Sequence, residues 1–353
     1  MSPDAQPIPV VVTGVGGGGV GSQILKALRR SELEYEIHGC DITAASFGLD
    51  GLEHTYVVPR ADNPAYIDTV LEICRKAGAK VLFYGSEAEL WVLSTNRQRF
   101  ADAGIIVPLN PAHVIDICAD KVRTAERLAE MGFAVPEFRS IENLAQIEDF
   151  PNLPAVLKPA TGSGGSANVL LAQDRAELRF FASYLLENVG PFIVQAYVGT
   201  PEHEYTVGVM HDLDGNFVNS IAVRRHIGGA LSNLLRTPNR SGRPELGPIL
   251  MLSNGLSQGD IGPFPEVTGP CEKIAAQLGV TGPINIQIRL VGDTVYVFEI
   301  NPRFSGTTHL RAMVGYNEPD MIVRRHVLGQ QLEVRFPYES ATILRGLEER
   351  RVS

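Results

Sequence analysis

A chain of 353 residues with ordinary apolar content is long enough for two or three domains, each with a sizeable core. A net charge of −9 and no long basic run argue against duplex nucleic acid as the main partner, because phosphate contacts need clustered Lys and Arg. Cys40, Cys74, Cys118 and Cys271 form no CxxC pair, the N-terminus lacks the regions of a secretory leader, and no apolar stretch approaches membrane-spanning length, so the expectation is a reducing cytoplasm and no membrane partner.

In chain order, Pro9 to Thr13 reads as a short apolar strand. The run Gly14-Val-Gly-Gly-Gly-Gly-Val-Gly21 follows, then an amphipathic helix through Ile24, Leu25 and Leu28. Glu36 to Asp41 reads as a second strand ending in an acid. Tyr56-Val-Val, Val81-Leu-Phe-Tyr and Ile105-Ile-Val read as further strands, with a helix from Tyr66 to Ala77. This alternation predicts a parallel sheet with helices on both faces. The character changes near Asn110-Pro111, and Asp120 is placed to cap a helix from Lys121 to Met131. Ala155 to Leu171 reads as two strands around a Gly/Ser loop. Asp174-Arg-Ala-Glu177 has the spacing of a capping box for the helix carrying Leu178, Phe181 and Leu185. Phe192-Ile-Val-Gln and Tyr205 to Met210 read as strands, the second followed by a hairpin turn signal at His211–Asn216. Ile227 to Pro265, rich in Gly, Pro, Ser and Asn, reads as a long, partly irregular insertion of the kind that often carries specificity. Cys271 to Leu278 is predicted helical, with Gly279 as its stop. Ile284 to Leu290 alternates strictly, with Asn285, Gln287 and Arg289 on the polar face.

Several motifs carry chemistry. Thr294 to Ile300 is a strand, and in an extended chain Glu299, Asn301 and Arg303 share a face. A carboxylate, an amide oxygen and a guanidinium together suit Mg²⁺ and phosphate; a strand ending in a polar turn at Pro302 explains them equally well. Gly14 to Gly19 fits GxGxxG, with Asp41 where a dinucleotide-binding fold keeps its ribose acid. A tight glycine turn in an open sheet that binds no dinucleotide is the preferred reading, because so many glycines satisfy many patterns. Lys158 ahead of Gly162–Ser166 is either a phosphate cradle or a flexible hairpin. Gln195-Ala-Tyr197 stands at a strand end able to pair with a purine edge, although Glu204 on its own reads as a solvated acid. Arg224, Arg225 and His226 form the densest basic triplet ahead of the insertion and are candidates for a substrate carboxylate; His309 and Arg311 are weaker ones.

The order of these pieces resembles the ATP-grasp superfamily and, within it, the large subunit of carbamoyl phosphate synthetase. Val297-Phe-Glu-Ile-Asn-Pro-Arg-Phe-Ser-Gly306 and Asn285-Ile-Gln287 carry most of the likeness. The resemblance implies a Rossmann-like pre-ATP-grasp domain over residues 1–112 and a two-subdomain ATP-grasp fold, α+β, over 113–191 and 192–353. It implies ATP and one or two Mg²⁺ ions. Lys121 and Lys158 would contact nucleotide phosphates or adenine, and Gly164, Gly165 and Ser166 would close over the phosphates. Gln195 would lie near the adenine amino group, the Tyr197 backbone amide would meet the ring, and Glu204 would bind ribose. Gln287, Glu299 and Asn301 would hold the metal, and Arg303 would stabilise the transferred phosphoryl group. The implied reaction joins a small carboxylate to an amine through an acyl phosphate, releasing ADP. The rivals are a kinase-like or carboxylase-like enzyme, a nicotinamide-dependent oxidoreductase using Gly14–Gly19 and Asp41, and a non-catalytic nucleotide-binding partner. A homodimer is a family-level expectation. Carbamoyl phosphate synthetase carries two copies of this unit and receives ammonia from a glutaminase. One copy without a glutaminase is not expected to complete that two-phosphorylation reaction by itself. Ile227–Pro265 and Ser305-Gly-Thr-Thr308 also depart from that family, which leaves substrate choice as the least transferable inference.

Overall fold

The computed structural model describes residues 6–162, 166–349 and 351. The chain begins as the alternation predicts. The strands β1 (Ile8–Thr13), β2 (Tyr35–Asp41), β3 (His54–Val57) and β4 (Val81–Phe83) form a parallel sheet in the order β3-β2-β1-β4. Helices α1 (Val20–Leu28) and α2 (Tyr66–Ala77) connect them, and α2 ends on Gly78 in the left-handed conformation. Gly21 lets α1 approach β1: a Cβ there would lie 2.2 Å from the Thr13 carbonyl oxygen. Ile105-Ile-Val does not form a full strand. Ile106 makes a single parallel bridge to Val81 before the chain turns through Pro108 toward the next layer. The helices α3 (Glu87–Thr95) and α4 (Arg97–Asp102) precede this bridge.

Next come α5 (Ala112–Ala119) and α6 (Lys121–Glu130), the latter capped by Asp120, whose carboxylate accepts from the Val122 and Arg123 amides. The strands β5 (Phe138–Ile141), β6 (Ala155–Pro159), β7 (Leu170–Ala172) and β8 (Phe192–Ala196) form an antiparallel sheet in the order β5-β8-β6-β7. Helix α7 (Arg175–Asn188) covers one face through Leu178, Ala182 and Leu185. The capping box is half formed: Asp174 accepts from the Glu177 amide, while the Glu177 carboxylate accepts from Gln173 rather than from Asp174. Because β8 pairs inside this sheet, a division at 191/192 falls one strand early.

A larger antiparallel sheet follows. The strands β9 (Glu204–His211) and β10 (Phe217–Arg225) form its central hairpin. The Gly- and Pro-rich stretch after them is more ordered than its composition suggests. It holds a two-stranded hairpin of β11 (Asn233–Pro238) and β12 (Ile249–Ser253), then β13 (Gly259–Gly262). Helix α8 starts at Pro265, earlier than expected because proline suits the first helical position, and runs to Leu278 with left-handed Gly279 after it. The strands β14 (Pro283–Val291) and β15 (Thr294–Asn301), the helices α9 (Thr308–Met313) and α10 (Glu318–His326), and β16 (Ala341–Ile343) complete the fold, with sheet order β15-β14-β9-β10-β13-β16. Ile284, Ile286 and Ile288 are fully buried against α8 residues Val267, Ile274 and Leu278. That apolar face turns Asn285, Gln287 and Arg289 the other way, Asn285 toward Arg311 of α9 and Arg289 toward Glu204, Val198 and Met251 of β12. Asn285 and Arg289 are nevertheless only 4% and 5% exposed, so this polar face lines an interior rather than meeting solvent.

Candidate active site

The cleft lies between the two antiparallel sheets. Lys121, Val156, Lys158, Ser166, Gln195, Tyr197, Glu204, Gln287 and Glu299 line one cavity, with Leu252 and Ser253 of the β11–β12 hairpin on its far wall. Beyond Phe298 a second cavity shares Lys121 and Glu299 and continues past Asn301 to Glu87 and Trp91 of α3. Gly164 and Gly165 lie outside the described residues.

Lys158, at the end of β6, is buried. Its Nζ donates to Gln195 Oε1 at 2.9 Å and to the Phe298 carbonyl at 3.4 Å, and it sits 5.1 Å from the Phe298 ring centroid. One ammonium therefore ties β6 and β8 to β15. Burial pushes its pKa down to about 8, against the opposing pull of Glu299.

The strand register puts Gln287 opposite Glu299 and Asn285 opposite Asn301. Asn301 Nδ2 donates to Glu299 Oε1 at 3.1 Å, and Arg303 Nη2 donates to Asn301 Oδ1 at 3.1 Å and to Glu87 Oε1 at 3.3 Å. Arg303 Nη1 is held by the Phe304 carbonyl, while its Nε is buried without a partner. Glu299, Asn301 and Arg303 thus share a face past the strand end, and Gln287 joins them from the neighbouring strand. This all-oxygen donor set fits a hard cation such as Mg²⁺, and the unpartnered guanidinium nitrogen beside it fits an anionic oxygen. The Asn301 amide oxygen faces Arg303 and Glu299 Oε1 accepts from Asn301, which leaves Glu299 Oε2 and the Gln287 amide oxygen as the least encumbered donors.

Other candidates are placed differently. Glu204 is 2% exposed, with Oε1 accepting from Arg225 Nη1 at 3.0 Å and Oε2 accepting from Arg289 Nε at 3.1 Å and Nη2 at 3.0 Å. Burial alone would raise its pKa; Arg289 and Arg225 outweigh that and hold it below the usual carboxylate range. With both oxygens engaged, Glu204 is no solvated acid, and a ribose hydroxyl would have to share its remaining lone pairs. Arg225 is locked on Glu204, Ser253 and the Asn254 carbonyl, whereas Arg224 and His226 both reach Asp260 outside the cleft. The basic triplet is therefore not one anion site, because alternate strand residues point to opposite faces. The Tyr197 amide donates to the Pro154 carbonyl at 2.9 Å, so it is not open to a ligand ring; Val198, next in the chain, lines the cavity. The Tyr197 hydroxyl instead bonds the Met251 carbonyl and amide at 3.1 and 3.0 Å. Arg311 forms a buried pair with Glu318 and donates to Asn285. His309 is held near pKa 4 by burial and by Lys26, Arg30 and Arg345.

Sequence reasoning did not single out Arg289 or Glu87. Arg289 could have been found, since it continues the polar face of Asn285 and Gln287. Glu87 carried no signal, because its partner lies 216 positions away.

In the first sheet, Asp41 Oδ2 accepts from the Gly16 amide at 2.7 Å, and the buried Glu89 carboxylate accepts from the Gly85 amide and the Ser86 and Tyr66 hydroxyls. Asp41 thus occupies a loop amide that a pyrophosphate would use, and Glu89, which no ribose role accounts for, adds a buried carboxylate beside Gly14 and Gly85, which argues against the nicotinamide reading.

A parallel-sheet domain is thus followed by two antiparallel sheets around a lysine- and carboxylate-lined cleft, an arrangement shared with solved ATP-dependent enzymes. Residues 255–348 match the family described as ATP-grasp in the biosynthetic pathway with Ter operon, and residues 13–108 match the PylC-like N-terminal domain. The chain is 24% identical over 314 residues to the carbamoyl phosphate synthase large chain of Pseudomonas putida, covering 87% of this chain and 27% of that one. It is 26% identical over 298 residues to that of Paenarthrobacter aurescens, covering 80% and 24%. The chain thus spans about a quarter of the length of these curated relatives. Similar solved structures include N5-carboxyaminoimidazole synthetase of Staphylococcus aureus complexed with ADP (TM-score 0.65, 14% identity, 94% of this chain and 81% of that one). They also include an L-amino acid ligase of Bacillus licheniformis (0.62, 17%, 91% and 74%). A third is the biotin carboxylase domain of Hydrogenobacter thermophilus 2-oxoglutarate carboxylase with MgADP and bicarbonate (0.61, 15%, 94% and 72%). The chain is thus similar to the carbamoyl phosphate synthase large chain over most of its own length, and its residues 255–348 match an ATP-grasp family model. ATP-grasp enzymes use ATP and Mg²⁺.

Proposed function

We propose that this chain is an ADP-forming carboxylate–amine ligase, which activates a small carboxylate as an acyl phosphate and passes the acyl group to an amine. The observation that carries this reading is the cavity lined by Lys158, Gln195 and Glu299, joined through Glu299 to a second cavity that Asn301 lines, with Arg303 hydrogen-bonded to Asn301. ATP with Mg²⁺ supplies the phosphoryl group and offsets its charge when bound. Lys121 and Lys158 hold the phosphates, and Gln195 presents its amide to the adenine edge. Glu299, with Gln287 and Asn301, holds the metal. Arg303 exchanges the Glu87 carboxylate for developing charge on the transferred group, an electrostatic role of the kind that dominates such reactions. In the second half-reaction the amine nitrogen bonds to the acyl carbon, the carbon–oxygen bond to phosphate breaks, and the nitrogen loses a proton.

A second reading, in which bicarbonate is the activated carboxylate, draws support from the two carboxylating neighbours. One experiment separates the two: ADP release screened against amines with organic carboxylates or with bicarbonate, with mass detection of products. ADP release dependent on an organic acid and an amine supports the ligase. AMP release, or no substrate-dependent turnover, overturns it.

A further inference from the structure

Glu87, the first residue of α3, accepts from Arg303 Nη2 at 3.3 Å and also lines the second cavity. When Arg303 turns to the transferred phosphoryl group, this carboxylate is left without its counter-charge. Its side chain is 36% exposed, neither fully hydrated nor sealed, so a cation entering the cavity can take the place of the guanidinium. We infer, on the ligase reading above, that the second cavity seats the acceptor amine as an organic ammonium ion with an apolar body, held between the Glu87 carboxylate and the Trp91 ring.

The cavity encloses about 430 Å³, room for a small organic ligand. Glu87, Leu90 and Trp91 stand at i, i+3 and i+4 on α3 and share one face of that helix. Leu90 is buried, whereas Trp91 is partly exposed and offers the kind of aromatic face that best attracts a cation. Ile115 and Cys118 of α5 add apolar wall. Glu299 and Asn301 line the same cavity, so a nucleophile seated there adjoins the residues assigned to metal and phosphate. Charge favours a cation as well. Two acids, Glu87 and Glu299, line the cavity with one basic residue among those described, Lys121, which the nucleotide cavity shares. Glu87 cannot hold Arg303 and an ammonium ion with equal strength at once. ATP, by drawing Arg303 away, therefore frees the amine's partner, and each ligand tightens the other.

Trp91 is the only tryptophan of the chain, so its fluorescence reports on this cavity. The test is titration of the full chain with n-pentylamine at neutral pH, read by that fluorescence, with and without the Mg²⁺ complex of a non-hydrolysable ATP analogue. A saturable change is expected, at an affinity at least about fivefold higher with the analogue bound. The uncharged n-pentanol should bind at least about tenfold more weakly, and Glu87→Gln should weaken amine binding about tenfold while still binding the analogue. No amine-dependent change, equal binding of n-pentanol, or an unaltered affinity in Glu87→Gln would overturn the assignment. The readout needs no turnover. Amine binding of this kind without ADP release supports the site and counts against the ligase reading, whereas amine-dependent ADP release with Trp91 silent overturns the site and leaves the ligase reading intact.

Discussion

At the scale of single residues, Arg303 and Lys158 carry the sharpest expectations. Arg303→Ala removes one donor to the transferred phosphoryl group and should lower kcat roughly 10²-fold in steady-state assays, with near-normal turnover contradicting its role. Lys158→Met should weaken ATP binding by about 10- to 100-fold, the range for losing a charge-assisted hydrogen bond. Lys158 also sets a pH dependence. Its folded-state pKa is depressed from 10.5 to about 8, with burial the main cause, so the folded chain prefers the neutral amine. Between those two values the unfolded chain holds the extra proton, and this residue makes stability rise as pH climbs through that window. Phosphate binding needs the ammonium, so ATP binding above pH 8 should take up a proton. Calorimetry in two buffers of different ionisation enthalpy reads this directly; proton-neutral binding at pH 9 would contradict it. Glu299, Asn301 and Arg303 were legible because alternation along one strand is local. Glu87 was not, because a contact across the fold leaves no trace in spacing.

At the scale of elements, the polar stripe on β14 could be read from alternation, but its destination could not. Asn285, Gln287 and Arg289 look like a solvent face in sequence, and the packing of α9, the β11–β12 hairpin and the chain after β8 makes it an interior. The β11–β12 hairpin was hidden for the opposite reason: Gly, Pro and Asn around it mask two short strands, of which only β12 is apolar. Buried charge on this sheet is accommodated by a missing side chain. A Cβ at Gly208 would lie 2.2 Å from Arg311 Nη1, so glycine leaves room for the Arg311–Glu318 pair. Gly208→Ala should destabilise the chain by about 1–3 kcal/mol in denaturant unfolding, as overpacked cores do. An unchanged midpoint would show that Arg311 can move aside.

At the scale of the whole molecule, the first sheet and the cleft are joined where Glu87 of α3 meets Arg303. Glu87→Gln removes the carboxylate that competes with phosphate for this guanidinium, so ATP should bind no more weakly than in the wild type while the arginine loses its resting partner. A marked loss of ATP affinity in equilibrium binding would instead make Glu87 part of the nucleotide site. The fold class was visible in the alternation of strands and helices, whereas sheet membership was not: β8 joins its sheet through pairing with strands before it. The contact between Tyr197 and Met251 also bears on how copies of the chain meet. A two-stranded ribbon leaves backbone groups along its outer edges, and such edges invite pairing with another molecule. The Tyr197 hydroxyl, bonding both the amide and the carbonyl of Met251, does for that position of β12 what a neighbouring strand would do, with Arg289 Nη2 on the same carbonyl. The phenol that fastens the cleft wall is thus also a guard against intermolecular β-pairing, and Tyr197→Phe should raise light scattering on mild heating before it abolishes the fold.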